Sequence, residues 1–288
     1  MFYESHLPDN DTSNQVSALV ALTPSESKRL IARAVASLPE VKRALAGGLI
    51  IIARGTANTF AAEEIMDIVI EPKSEYSRGC IVCGELRVNA KRGGRSDFVL
   101  RNGQVAEITP QEAIKEFTRD DVFIKGANAV DGSGEAAALA AGDAAGTIGN
   151  ALSTLVSRAS HLIIPVGLEK LIPSVAQASP KCGIYNFKYS TGLPCALIPL
   201  INAEVVTEVQ AFEILTGSRA THVASGGIGG SEGAVVLTLE GDENTIDRAF
   251  ALVKAVKGEL PVPSPEQTTP VAASTNYNSA AQLNGLNR

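Results

Sequence analysis

The sequence predicts an α/β protein in which a mainly parallel sheet is followed by a small α+β unit. The short apolar runs at residues 49–53 and 161–166 are typical of parallel strands buried on both faces. Segments with helical periodicity separate these runs, and strands that alternate with helices indicate βαβ units. The chain has 288 residues, of which 45% are hydrophobic and 19% are charged, so it can build the core that this fold requires.

The first helix begins at a capping box in residues 23–26, where Thr is the N-cap, Pro the first helical residue and Glu the third. Apolar residues then recur with a period near 3.6 as far as Leu45, and the Gly-Gly pair at 47–48 ends the helix. Residues 1–22 are polar at first and weakly patterned, which predicts a flexible tail.

The middle of the chain continues the alternation of strands and helices. Residues 76–108 have strand-like alternation broken by turn-forming residues at 91–95 and 102–103, which predicts β-hairpins. The other predicted elements, in order, are a turn (54–59), a helix (60–66), a capped helix (109–117), a strand (121–124), a glycine- and alanine-rich stretch (132–149), a helix (150–159) and strands at 161–166 and 197–200.

The last third of the chain has a different pattern. Its predicted elements are a helix (204–215), strands at 222–224 and 234–239, and a helix (243–257). These residues predict a small α+β unit over 201–260, resembling half of a ferredoxin-like fold, after an α/β ligand-binding domain over 23–200. Residues 261–288 are rich in Pro, Ser, Thr and Asn, which predicts a disordered tail.

Composition and charge narrow the functional classes. A net charge of −6 argues against general affinity for nucleic acid or anionic lipid. No apolar run reaches the roughly 18 residues that a membrane helix needs, and the N-terminus lacks the pattern of a secretory signal. Four cysteines are too few for a disulfide scaffold and fit a reducing compartment. We therefore expect a cytoplasmic protein with no nucleic-acid or membrane partner. The sequence is compatible with a homo-oligomer but does not determine the oligomeric state.

The cysteines do not predict a metal site. Cys80 and Cys83 form a CxxC pair, but Cys182 and Cys195 are thirteen residues apart, whereas a four-thiolate zinc site needs a second close pair. On one strand, Cys80 and Cys83 would also point to opposite faces. We expect neither a metal nor a cofactor.

Two short motifs follow apolar strands and resemble those of one enzyme superfamily. Gly55-Thr-Ala-Asn-Thr59 is similar to the Gly-Thr-Gly-Ser-Thr phosphate turn of ribose-5-phosphate isomerase A, and Lys125-Gly-Ala-Asn-Ala-Val-Asp131 to its Asp-Gly-Ala-Asp-Glu-Val-Asp strand end. Residues 161–171 are more weakly similar to a strand and Ser-Lys turn that come later in the same isomerase. Over roughly residues 25–260 the chain thus resembles the superfamily of that isomerase, glucosamine-6-phosphate deaminase and the CoA transferases, which implies a three-layer α/β fold.

The same motifs differ from the superfamily where its chemistry is carried. Lys125 and Asn128 stand in place of two aspartates, and residues 150–153, where the general-base glutamate would fall, contain no acid. Glu135 is the nearest candidate for the acyl-transfer glutamate of CoA transferases, and its context differs. Proton abstraction needs a titratable group within reach of the substrate, so the isomerase mechanism is not implied.

The residues themselves favour an anion site at the carboxyl ends of the strands. A strand-to-helix turn can bind an anion through its amides and hydroxyls, or it can be an ordinary capped turn. Lys125 lies where open α/β sheets bind ligands, so it could neutralise a phosphate or carboxylate, form a Schiff base, or simply be solvated. The candidate ligand-binding residues are Arg54, Gly55, Thr56, Asn58, Thr59, Lys125, Gly126, Asn128, Asp131 and Thr147.

The leading functional hypothesis is a protein that binds a small anionic metabolite, such as a sugar phosphate or a nucleotide- or CoA-like compound. It could be an isomerase- or transferase-like enzyme, with Lys125 and Asp131 as the candidate acid–base groups. The alternatives are a non-catalytic regulatory, sensor or assembly subunit that keeps the fold, and a structural protein without a ligand. The glycine-rich segment 226–230 is predicted to be a hairpin tip that could close over a ligand.

Overall fold

The structure is a computed structural model that describes residues 1–4, 15–89, 96–142, 144–266 and 268. The helices of this part of the chain are α1 (Pro24–Ser37), α2 (Pro39–Gly47), α3 (Thr56–Met66), α4 (Pro110–Glu116), α5 (Gly146–Arg158), α6 (Val175–Ala178), α7 (Glu208–Thr216) and α8 (Glu243–Val256). Its strands are β1 (Val16–Leu22), β2 (Leu49–Ile52), β3 (Gly79–Val82), β4 (Glu85–Val88), β5 (Phe98–Arg101), β6 (Gln104–Val105), β7 (Val122–Ile124), β8 (Ala129–Val130), β9 (Ala136–Ala140), β10 (His161–Pro165), β11 (Ala196–Pro199), β12 (Glu204–Val206), β13 (Arg219–Gly226) and β14 (Ala234–Gly241).

A six-stranded sheet in the order β12-β10-β7-β2-β5-β6 organises the fold. The first four of these strands are parallel, β5 is antiparallel to β2, and β6 is antiparallel to β5. All four residues of β2 are buried, as the apolar run predicts. Ile52, Ile124 and Ile163 are in register, so β2, β7 and β10 end at a common edge. The predicted α/β class with a mainly parallel sheet is confirmed.

Helix α1 packs against α3 and α7, and both predicted capping boxes, at Thr23 and Thr109, are formed. The prediction of one helix from Thr23 to Leu45 is wrong, because the chain breaks at Leu38 and α2 begins at Pro39. Proline lacks the N–H for an interior helical hydrogen bond, but it is favoured at the first helical position, where that N–H has no partner.

The residues before α1 are more ordered than the predicted flexible tail over 1–22. β1 (Val16–Leu22) pairs with β14 along its whole length, in a three-stranded sheet with β13. Val20 and Leu22 are buried in the core, whereas Leu19 and Ala21, which alternate with them, are exposed. Partner strands far along the chain therefore decide this element; residues 5–14 lie outside the described part.

The predicted boundary between the α/β domain and the α+β unit, at residue 200, falls between two strands that are neighbours in the six-stranded sheet. β12 (Glu204–Val206) pairs with β10, and one hydrophobic core includes residues from both sides of the boundary. The prediction of a helix from residue 204 is wrong, since Thr207 caps a helix that begins at Glu208. Of the predicted disordered tail over 261–288, residues 267 and 269–288 lie outside the described part.

Two smaller sheets complete the architecture. β8, β9 and β11 form one, and β3 and β4 form the other, a hairpin that turns at residues 83–84 and not at a predicted turn. β9 lies inside the stretch expected only to be glycine- and alanine-rich, and β11 pairs with β9, apart from the six-stranded sheet. Nowhere in the described ranges is a helix long and apolar enough to cross a membrane.

Candidate functional site

The carboxyl ends of the four parallel strands bring charged residues to one edge of the sheet. β2 is followed by Arg54, β7 by Lys125, β10 by the turn 167–170 and β12 by Glu208. Because ligands of open α/β sheets bind beyond these ends, this edge is the candidate site. We call it the carboxyl-end site.

The turn after β2 leaves the start of α3 uncapped. Gly55 is the N-cap residue and offers no side chain, so no side chain caps the helix. The amides of the first three helical residues, 56–58, have no intrahelical acceptor. Thr59 donates its hydroxyl to the Gly55 carbonyl at 3.0 Å and is buried. The amides of residues 56–58 therefore lie at the place predicted for an anion, where Thr56 is the first helical residue, whereas Thr59 holds the turn.

Asn58 joins the ends of β2 and β7. Its side chain is fully buried, and Nδ2 donates to the Ala53 carbonyl at 2.6 Å. A Cβ built on Gly126 would lie 3.5 Å from Asn58 Oδ1, an ordinary van der Waals distance, so Gly126 is in direct contact with the amide. Oδ1 has no hydrogen-bond partner within the described structure. The predicted pair Asn58 and Gly126 is thus brought together at the site.

Tyr76 fixes the position of the turn after β2 through three hydrogen bonds. It is fully buried, donates its hydroxyl to the Ile52 carbonyl, and accepts from the Phe98 amide at 3.0 Å. Its own carbonyl accepts from the Gly55 amide at 2.8 Å. One residue therefore connects β2 and β5 through its hydroxyl and the N-cap of α3 through its backbone carbonyl.

We expect Tyr76→Phe to lower the free energy of unfolding by about 1–3 kcal/mol, because it leaves the buried Ile52 carbonyl and Phe98 amide without this partner. Urea titration measures the change. Tyr189→Phe is the matched control, since Tyr189 is 74% exposed and should give almost no change. Equal effects of the two substitutions would contradict the role given to the Tyr76 hydroxyl.

Asp97 connects Arg54 to Thr147. Its Oδ1 accepts from the Arg54 backbone amide at 2.8 Å and from Arg54 Nε at 3.2 Å, while Oδ2 accepts from the Thr147 hydroxyl at 3.1 Å. Thr147, one of the predicted ligand-binding residues, thus donates its hydroxyl to a carboxylate. Sequence reasoning missed Asp97, although its position just before β5, antiparallel to β2, places it at the end of β2.

Lys125 lies at the centre of the site. It is partly buried, and its ammonium has no hydrogen-bond or ion-pair partner in the described part of the chain. Burial lowers the pKa of Lys125; the charge of Asp97 opposes this effect and that of Arg54 adds to it. An ammonium without a partner in such surroundings favours the arrival of an anion.

Asn128 and Asp131 do not join this group. Asn128 is exposed, and its Oδ1 accepts from the Leu139 amide at 3.0 Å. Asp131 is buried and accepts from the amides of Ser133, Glu135 and Val175. Burial would raise the pKa of Asp131, but these hydrogen bonds outweigh it and hold the pKa below its ordinary value. Its carboxylate closes a turn and supports α6, which speaks against the predicted acid–base role.

Four charged residues that sequence reasoning did not select complete the site. Lys28 Nζ pairs with Glu169 Oε1 at 2.8 Å. Lys170 Nζ donates to the Ala127 carbonyl at 3.1 Å, two residues beyond Lys125. Glu208 Oε2 accepts from the Leu168 amide at 2.9 Å. The sequence signals were the strand ends and, for Glu169 and Lys170, the weaker likeness of residues 161–171 to a turn of the isomerase. Glu208 gave no signal of its own, since it follows an ordinary N-cap threonine.

The two glutamates are close together and incompletely paired. Glu169 Oε2 and Glu208 Oε1 are buried without a hydrogen-bond partner in the described chain. A Cβ on Gly167 would lie 2.6 Å from the first oxygen and 3.2 Å from the second. Burial, and then the charge of Glu169, raise the pKa of Glu208 to about 7. Near neutral pH, Glu208 can therefore hold or release a proton.

The other motifs lie elsewhere or carry no site. Cys80 is on β3 and Cys83 is in the following turn, and both are free thiols. The described residues contain no group of three or more His, Cys, Asp or Glu that could hold a metal ion. Segment 226–230 lies at the predicted hairpin tip, between β13 and β14. Gly233, in the same turn, approaches Glu169: a Cβ built on Gly233 would lie 3.6 Å from the Glu169 Cβ.

Two surface cavities are separate from this edge. One, of about 270 Å³, is lined by charged residues that include Arg29, Glu63 and Lys73. The other, of about 240 Å³, lies beside His161 and Glu204 at the amino ends of their strands. Neither contains Lys125 or Glu208 among its lining residues, so the carboxyl-end site is defined by its charges and hydrogen bonds.

Comparison of the chain with protein-family models, with curated proteins and with solved structures gives no match.

Proposed function

We propose that the protein binds a small anionic metabolite, a sugar phosphate or a nucleotide- or CoA-like compound, at the carboxyl-end site. The proposal includes the three-layer arrangement of the superfamily that the two motifs resemble. The observation that carries it is Lys125, a partly buried ammonium at the end of a central strand with no partner among the described residues.

Charge and hydrogen-bond donors converge beside Lys125. Arg54 is adjacent, with only its Nε engaged by Asp97, and the uncapped amides of α3 begin next to it. A helix N-terminus favours negative charge through its free amides and its dipole. An anion placed between α3 and Lys125 would satisfy these donors and the ammonium together.

The non-catalytic sensor is the second candidate, and the surroundings of Asp131 favour it. This carboxylate, expected to act in acid–base chemistry, is engaged by the amides of Ser133, Glu135 and Val175. Incubating the protein with a ligand found in the screen described next, and following ³¹P and ¹H NMR spectra, separates the two candidates. New product signals support an enzyme, and an unchanged spectrum of bound ligand supports a sensor.

Lys125→Met is expected to weaken binding of the anionic ligand about 10- to 100-fold, because a charge-assisted contact of roughly 1.5–3 kcal/mol is lost. A thermal-shift screen with ribose 5-phosphate, glucosamine 6-phosphate, nucleotides, CoA and inorganic phosphate identifies the probe. Isothermal titration then gives affinities for the wild type and the variant.

Lys42→Met is the matched control, since Lys42 is exposed on α2 and should leave the affinity unchanged. Stability without ligand should not fall in Lys125→Met, because the substitution removes an ammonium that has no partner. No shift with any anion for the wild type would overturn the proposed function. Equal affinity of Lys125→Met and wild type would remove Lys125 from it.

A further inference from the structure

Two ammonium groups, and not one, stand at the carboxyl-end site without a carboxylate partner. Lys125 follows β7, and Lys170 lies five residues beyond the end of the neighbouring strand β10. Lys170 Nζ reaches back to the Ala127 carbonyl at 3.1 Å, so it lies over the segment that begins with Lys125. Neither lysine forms an ion pair within 4.0 Å in the described structure.

The nearby carboxylates are already committed elsewhere. Lys28, from α1, forms an ion pair with Glu169 Oε1 and also donates to the Pro24 carbonyl. Glu208 is held by the Leu168 amide. Asp97 is occupied by Arg54 and Thr147. None of the three carboxylates forms an ion pair with Lys125 or Lys170 in the described part of the chain, although Asp97 acts on Lys125, and both glutamates act on Lys170, through their charges. The four cations Lys28, Arg54, Lys125 and Lys170 outnumber these three carboxylates, so the site keeps a net positive charge for a ligand.

We propose that Lys170 is a second cationic ligand of this site and that the site takes a dianion, such as a phosphate monoester, contacted by both lysines. This inference rests on the proposed function and deepens it by selecting the charge of the ligand. A carboxylate or another monoanion would satisfy one ammonium and leave the other unpaired, so the pair of lysines discriminates in favour of the dianion.

Proton uptake on binding is a consequence of this geometry. Burial, opposed by Glu169 and aided by Lys28, lowers the pKa of Lys170 to about 8, and the charges of Glu208 and Lys125 also act on it. A bound dianion raises the pKa of Lys170, Lys125 and Glu208 alike, because it stabilises each protonated form. All three shifts have the same sign, so binding should take up protons between about pH 7 and pH 8.

Sulfate is the probe, because it is a dianion that does not itself titrate in this range, and acetate is the monoanion for comparison. Isothermal titration at pH 8 in two buffers of different ionisation enthalpy gives both the affinity and the number of protons taken up. We expect sulfate to bind the wild type more tightly than acetate, with proton uptake. Lys170→Met should weaken sulfate binding about 10- to 100-fold and reduce the uptake.

Two further variants keep the result interpretable. Lys170→Arg retains the charge and should retain sulfate binding, but it should take up fewer protons, because guanidinium does not titrate near pH 8. Lys42→Met should match the wild type. If Lys125→Met weakens sulfate binding and Lys170→Met does not, the inference fails while the proposed function stands. If sulfate binds neither the wild type nor Lys170→Arg, the dianion site is overturned, and a positive result in the metabolite screen would still uphold anion binding.

Discussion

Replacing Arg29 by methionine is expected to lower the free energy of unfolding by about 3–5 kcal/mol, because it removes the cation from a buried ion-pair network. Arg29 bonds Glu63 at 2.5 Å, Glu64 at 2.9 Å and Glu259 at 2.9 Å, and its side chain is 13% exposed. It thereby ties α1 to α3 and to the segment after α8. The guanidinium also lies over the Phe60 ring, 4.8 Å from its centroid.

Urea denaturation of Arg29→Met and Arg33→Met tests this prediction. Arg33 is one turn further along α1, is 32% exposed and makes a single ion pair with Glu64 at 3.5 Å, so its loss should cost about 0–1 kcal/mol. Similar costs for the two variants would show that the network contributes no more than an exposed pair.

The pH dependence of stability gives an independent measurement of the same network. Burial would raise the pKa of Glu63, but the Ile70 amide, Arg29 and Lys73 outweigh it and hold the pKa below its ordinary value of 4.5. A carboxyl with a lowered folded-state pKa contributes stability above about pH 4.5, and this contribution is lost as the pH falls through the folded-state pKa. In Arg29→Met this acid-sensitive part of the stability should shrink.

Phe123→Ala is expected to cost about 3–5 kcal/mol of folding free energy, because it opens a cavity in the middle of the six-stranded sheet. Phe123 is 1% exposed and lies in register between Ile51 of β2 and Leu162 of β10. The matched control is Phe187→Ala, since Phe187 is 37% exposed in the loop before β11 and should change stability by less than about 1 kcal/mol.

Binding and stability should separate in Phe123→Ala. At a temperature where the variant is folded, its affinity for the site's anion should remain near that of the wild type, because Phe123 points into the core and not toward the ligand. Calorimetric titration below the unfolding transition measures this. A large loss of affinity in the folded variant would mean that the strand end depends on core packing more than we infer.

Local sequence signals predicted the elements whose formation depends on nearby residues. The capping boxes at Thr23 and Thr109, the apolar strand β2 and the hairpin of β5 and β6 around residues 102–103 all formed as expected. In the caps and the hairpin, the stabilising interactions join residues a few positions apart. In β2, the apolar run follows from burial on both faces of the sheet. The strands that were not predicted, β1 and β12, pair with partners that are distant in sequence. The break between α1 and α2 is different, because its signal, Pro39, is local and the prediction of a single helix overlooked it.

The candidate site divides in the same way. The sequence by itself determined that Arg54, the turn 55–59 and Lys125 stand at the ends of adjacent buried strands, because strand ends follow from apolar runs. Only the tertiary structure decided that Asp131 accepts from the Val175 amide, 44 residues away, and that Lys170 and Glu208 belong to the site. Side-chain direction beyond a strand end depends on hydrogen bonds to distant segments, and local sequence carries no record of those partners.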